Sequence, residues 1–269
     1  MMRNPWNNLI EIKITQRYSW NLTDFFCDDT GITDQSLLVS GLLLSTHCLV
    51  GNCPNLNNIS TDVICTDYDT DAAISTGERY SAVMIPSDVS FAIAHSSDSW
   101  LTNLVSDDAH WSIVSIINTF LRPDGVLNSS PMAMIVPVLY RQVDIEYVHQ
   151  LFVIDTNIND DLRCRWADDS GKSFTRMNEC GGICQSMVAS SHLANNCTLT
   201  FKLTQSSVYY GVALQVEDYF SQDSTSPMSS IPIQFLIYTT KSVAACNTPP
   251  EIIGNRQNRG LHILLVFSK

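Results

Sequence analysis

The chain has 269 residues, 45% of them apolar, and a mean hydropathy of +0.03, enough to bury one or two ordinary cores. Fifteen Lys and Arg against 27 Asp and Glu give a net charge of -12, a field that repels nucleic acid and anionic membrane surfaces and favours cations or basic partners. With 16% charged residues and abundant Ser, Thr and Asn, the composition suits polar-faced strands and long turns rather than surface helices, so the expected fold class is all-β.

The first twenty residues, MMRNPWNNLIEIKITQRYSW, hold neither the continuous apolar run nor the small-residue cleavage site of a secretory leader. They read as a strand, because Ile10, Ile12 and Ile14 alternate with Glu11 and Lys13. Further strands are predicted over 79–85, 89–94 and 111–118, separated by turn-rich stretches, and no run reaches the roughly 18 apolar residues of a membrane span. The part from 27 to 71 is loop-rich. Within it Asp67, Asp69 and Asp71 alternate, a pattern read as a solvated strand face, since the glycine and terminal glutamate of a calcium loop are missing. His110 and Trp111 follow an aspartate pair at a strand start, but no nucleophile or second acid/base group stands beside them, and they are assigned to the edge of the core.

The segment 122–131, RPDGVLNSSP, strings a Pro-Asp-Gly turn, a polar run and a second proline, and is expected to be a linker between an N-terminal β domain (1–121) and a second domain (132–245). The second domain has the clearest alternation. Cys197, Leu199, Phe201 and Leu203 share one face, as do Val208, Tyr210, Val212, Leu214 and Val216, and again Ile231, Ile233, Phe235 and Ile237. With strands over 134–140, 147–154 and 162–166, this makes six or seven strands, the scale of an immunoglobulin-like or cadherin-like sandwich. On the strand 162–166, Leu162, Cys164 and Trp166 face one way. Arg163 and Arg165 face the other and are expected to pair with Asp160, Asp161, Asp168 or Asp169 rather than with an anionic ligand.

Eight of the nine cysteines fall in two groups of four. Cys27, Cys48, Cys53 and Cys65 lie in the first half and Cys164, Cys180, Cys184 and Cys197 in the second, so each domain can close its own disulfides in one of three pairings. Such frameworks belong to an oxidising compartment, and no zinc-finger spacing competes. Sequons at Asn21, Asn58 and Asn128 are permitted glycosylation sites, while the one at Asn196 abuts Cys197; about four are expected by chance at this composition.

The run NSSPMAMIVPV, DLRCRWAD, ECGGICQS, CTLTF, YYGVALQVEDY, SSIPIQFLIY, CNTPPEII resembles a module that recurs in large multidomain extracellular proteins of marine and freshwater invertebrates, marked by its Arg-Cys-Arg-Trp stretch. The resemblance covers about 27–254 and implies a secreted or cell-surface protein. It makes 246–269 the start of a following module, leaves Cys246 without its partner, and implies a leader missing from this chain. It brings no activity. Where such modules carry an aspartate-rich turn, this chain has Asp155, Asn157, Asn159 and Asp161, with Asp218 ending a later strand; these oxygens could bind calcium, or simply serve turn chemistry. No Gly-x-Ser-x-Gly elbow, His-Glu-x-x-His or phosphate loop is present, so the chain is expected not to be an enzyme and to need no cofactor beyond that calcium. The expected role is a structural, adhesion or ligand-presenting module, with other extracellular proteins or glycans as partners. The alternative is a carbohydrate-binding accessory domain of a secreted enzyme, for which Trp100, Tyr209 and Tyr219 are the candidate platform residues.

Overall fold

A computed structural model describes residues 2–3, 8–41, 43–53, 59–98, 100, 103–106, 110–169 and 177–241. Asn58 and the expected following module 246–269 lie outside the described residues. The strands of the first half are β1 (Met2–Arg3), β2 (Leu9–Asn21), β3 (Leu37–Val39), β4 (Ser45–Val50), β5 (Val63–Asp69), β6 (Ile74–Pro86), β7 (Ser90–Asp98) and β8 (His110–Asn118). Those of the second half are β9 (Met132–Met134), β10 (Val138–Gln142), β11 (Glu146–Gln150), β12 (Phe152–Ile154), β13 (Asp161–Trp166), β14 (Ser191–Leu193), β15 (Thr198–Lys202), β16 (Tyr209–Tyr219) and β17 (Ser229–Thr240). A five-residue helix (Asp29–Thr33) and two single 3-10 turns complete the described secondary structure.

The fold is all-β, as the alternation predicts, and each half builds a core between two sheets. A five-stranded sheet, β1-β2-β6-β5-β3, sets Ile10, Ile12 and Ile85 against Phe91, Ile93 and Ile117 of β7 and β8. In the second half Val212, Leu214, Phe235 and Ile237 of β16 and β17 pack on Leu199 and Phe201 of β15, whose sheet runs β11-β15-β14. Alternating apolar residues put one face of each strand into these cores, and the area removed from water is the main driving term.

The expected boundary between the halves is built over. β17 pairs along its length with β16 and meets β8 at Ser230–Ile116, so one seven-stranded sheet, β13-β16-β17-β8-β7-β4 with β10 parallel to β17, runs from the first half into the second. The expected linker is likewise anchored rather than a spacer. Arg122, Asn128 and Pro131 are buried and the turn between them is closed by a Leu121–Leu127 bridge. A loop from Cys180 to Cys184 clamps the joint: the Ser112 hydroxyl donates to the Asn178 carbonyl, and the Gln234 amide donates to the carbonyls of Ser112 and Glu179. Gly181 is required there. Its φ is +60° and a Cβ would sit 2.5 Å from the His110 carbonyl oxygen.

Four disulfides form, Cys27–Cys65, Cys48–Cys53, Cys164–Cys197 and Cys180–Cys184, each within its expected group. Cys164 sits on β13 and Cys197 just ahead of β15, so this bridge ties the two sheets of the second sandwich together.

Candidate functional site

The acidic turn, which could bind calcium or serve turn chemistry, does converge on a buried centre, but with a different membership. Asp155, Asp160 and Asp218 bring carboxylate oxygens within 4.8 Å of one another. Asp161 faces away and pairs with Arg163 at 2.6 Å; the Asn157 side chain accepts from the Ser129 amide; Asn159 is exposed with a positive φ. The reason is the strand start. Asp161 is the first residue of β13 and takes the polar face of that strand, whereas Asp160 ends the turn and points inward.

Arg122 answers this charge. Its guanidinium grips Asp160 through two parallel bonds of 2.8 and 2.7 Å, and the Asp160 side chain is 1% exposed. Asp218, fully buried at the end of β16, accepts from the Asn128 amide, the Ser229 hydroxyl at 2.6 Å and the Ser229 backbone amide at 2.7 Å. Burial pushes its carboxyl up to about 6 despite these bonds. Asp155 is also pushed up, first by burial, and its Oδ2 is buried without a hydrogen-bond partner. The centre is thus an ion-pair and hydrogen-bond network that pins the 122–128 turn and the 155–160 turn onto β16 and β17. A cation that used all three carboxylates would compete with Arg122 for Asp160.

Asn128 is the hub of that network, and this corrects its reading as a glycosylation site: a side chain that is 2% exposed and bonded to Asp218 has no room for a glycan. Asn21 is half-buried at the end of β2, where its oxygen accepts from the amide and hydroxyl of Thr23.

The paired arginines of β13 are both engaged. Arg163 binds Asp161 as expected, donates to the carbonyls of Gln222 and Ser224, and lies 3.9 Å from the Tyr219 ring centroid. Arg165 does not use any of the four aspartates expected for it. It forks onto Glu179 at 2.6 and 3.0 Å and reaches Glu217 at 2.8 Å, which keeps its charged form stable in spite of burial. Glu217 is directly across from Arg163 on the neighbouring strand, a register that sequence spacing does not reveal. Asp67 and Asp69 cap local backbone amides, those of Tyr68 and Ala72.

Of the three candidate aromatics, Tyr219 is buried beneath Arg163, and its hydroxyl donates to Glu217. Trp100 packs on the Cys180–Cys184 loop. Tyr209 alone of the three meets other surface rings, standing 4.8 Å from Tyr238, which in turn is 5.8 Å from Tyr140. Tyr140 and Tyr238 were not among the sequence candidates. Their signal was parity: each sits one place out of phase with the inward residues Leu139 and Ile237.

No family model matches the chain, and no curated protein matches it. Among solved structures it is similar to the tandem immunoglobulin repeats of Dlar, at 9% identity and a TM-score of 0.27 over 74% of this chain and 82% of that one. It is also similar to the sialic-acid-binding region of a Streptococcus sanguinis SK1 adhesin bound to 3'sLn, at 9% identity and a TM-score of 0.24 over 86% of this chain and 74% of that one. Both scores are too low to imply a shared fold, so the architecture rests on the strand order itself.

Proposed function

We propose that this chain is a non-enzymatic extracellular module that spaces or presents binding surfaces within a larger adhesion, matrix or receptor-like protein. The observation that carries the reading is the pairing of eight cysteines in four disulfides, two of which tie together distant parts of a sheet framework. Bonds of this kind persist in oxidising compartments. Consistent with it, Asp160 at the acidic centre and the two arginines of β13 are engaged by opposite charges and by backbone carbonyls.

The alternative, a carbohydrate-binding accessory domain, is less well supported. A sugar platform needs flat, accessible rings, and the Tyr209, Tyr238 and Tyr140 rings are tilted by 48° and 68° to their neighbours. The test is to express the chain behind a secretory leader and count free thiols on denatured, non-reduced protein. At most one thiol per chain is expected. Folded, stable protein in which most thiols are free would overturn the extracellular reading.

A further inference from the structure

Tyr140, Tyr209 and Tyr238 gather at one place on the shared sheet. β10 runs parallel to β17, and β16 antiparallel to it, in a register that sets Tyr140, Tyr238 and Tyr209 abreast on three adjacent strands. Their neighbours Leu139, Ile237 and Tyr210 are buried in the second core, so the three phenols stand together on the opposite face. Tyr140 is 49% exposed and the other two are half-buried. The rings meet at 4.8 and 5.8 Å between centroids and are mutually tilted, so they make one contiguous aromatic corner rather than a flat strip.

The surroundings give the corner a sign. Asp69 and Asp71 stand at the tip of the β5–β6 hairpin and act on the Tyr140 hydroxyl. Its pKa is raised first by burial, then by Tyr209, Asp69, Tyr238 and Asp71 in turn. Both aspartates are exposed, and the chain as a whole carries a charge of -12. The three arginine–ring contacts among the described residues use Phe220, Tyr147 and Tyr219, not this trio. An aromatic corner attracts a cation through the negative faces of its rings, and neighbouring carboxylates add to that attraction without filling the corner.

We infer that the Tyr140–Tyr238–Tyr209 corner, in the negative field of an acidic chain, docks a lysine- or arginine-bearing segment of a basic partner protein. This goes beyond the proposed function and stands without it, since it concerns a surface and not a compartment.

The test is an NMR titration of the full chain, labelled on its tyrosine rings, with a tetralysine peptide; maltotriose and matched sodium chloride serve as comparators. Saturable shifts are expected on Tyr140, Tyr209 and Tyr238, with Tyr80 and Tyr68 little changed. Tyr140→Leu should weaken binding about fivefold or more and Tyr140→Phe should retain it, because the ring and not the hydroxyl supplies the attraction. Asp69→Asn with Asp71→Asn should weaken it about threefold and reduce its sensitivity to salt. Tetralysine shifts that survive Tyr140→Leu would mean diffuse attraction to an acidic surface and would overturn the inference. So would shifts produced by maltotriose and not by tetralysine, or no shifts beyond those of the salt. A free-thiol count fails or succeeds independently of all these outcomes.

Discussion

Arg122→Met is expected to cost about 3–5 kcal/mol in urea or guanidinium unfolding, because Asp160 would remain buried with its charge unmet. Adding Asp160→Leu should recover most of that loss, and a double-mutant cycle would separate the pair from its surroundings. Asp218 makes a second prediction. Its carboxyl is held at about 6 when folded against 3.8 unfolded, so the folded state binds the proton more tightly. That advantage is complete below pH 3.8 and is lost as pH rises to 6, a difference of roughly 3 kcal/mol in the direction of lower stability at neutral pH. Asp155 acts in the same direction. Unfolding midpoints from pH 4 to 7 should therefore fall less steeply for Asp218→Asn than for the natural chain. Millimolar calcium should shift the melting temperature by no more than about 1 °C, since an ion gains little where Arg122 already sits. At this scale the sequence was partly legible. The acidic turn and Asp218 could be read as meeting, but Arg122 and Asn128 lie in a stretch whose proline, glycine and serine content reads as a linker, and composition says nothing of a side chain folded back under it.

Among the elements, the disulfides differ in what they hold. Cys27–Cys65 and Cys164–Cys197 close separations of 38 and 33 residues, whereas Cys48–Cys53 and Cys180–Cys184 close 5 and 4. By loop-closure entropy, Cys164→Ala with Cys197→Ala should cost about 4 kcal/mol and Cys48→Ala with Cys53→Ala about 2 kcal/mol, measurable as a difference in denaturant midpoints. The long strands β2 and β8 follow the period-two rows of the sequence in their burial, whereas β16 is buried along both faces and β17 along most of its length, because they lie in the interior of the shared sheet. Two predicted strands are instead broken. The run 134–140 divides at Pro137, where β9 pairs with β12 and β10 joins β17, and 147–154 divides at the buried Leu151, whose amide donates to Cys197. In both, the chain changes sheets within a largely apolar run that has no period-two pattern, so periodicity carries no mark of the switch. The short strands β3 and β4 lie in the cysteine-bearing stretch read as loop, too brief for alternation to declare them.

For the whole molecule, the shared sheet outweighs the apparent boundary. A fragment ending at 121 leaves the β8 edge without β17 and removes the 178–184 clamp, including the Asn178 carbonyl to which the Ser112 hydroxyl donates. Such a fragment is expected to give broad, poorly dispersed NMR spectra or to aggregate, whereas 1–241 should give a dispersed one; a well-dispersed spectrum from 1–121 would show that the joint is dispensable. Local pattern cannot announce this joint, because Ile116 and Ser230 are distant in sequence and meet at a single registered pair.

The same joint sets an order of events on the ribosome. β4, β7 and β8 emerge early, but the strand that covers the β8 edge arrives roughly a hundred residues later, which at about 5–20 residues per second leaves that edge open for roughly 5–20 s. During that interval a neighbouring nascent chain offers the same unpaired backbone groups. Slow translation between these segments, or dense polysomes, would therefore favour chains paired with one another over chains paired with themselves.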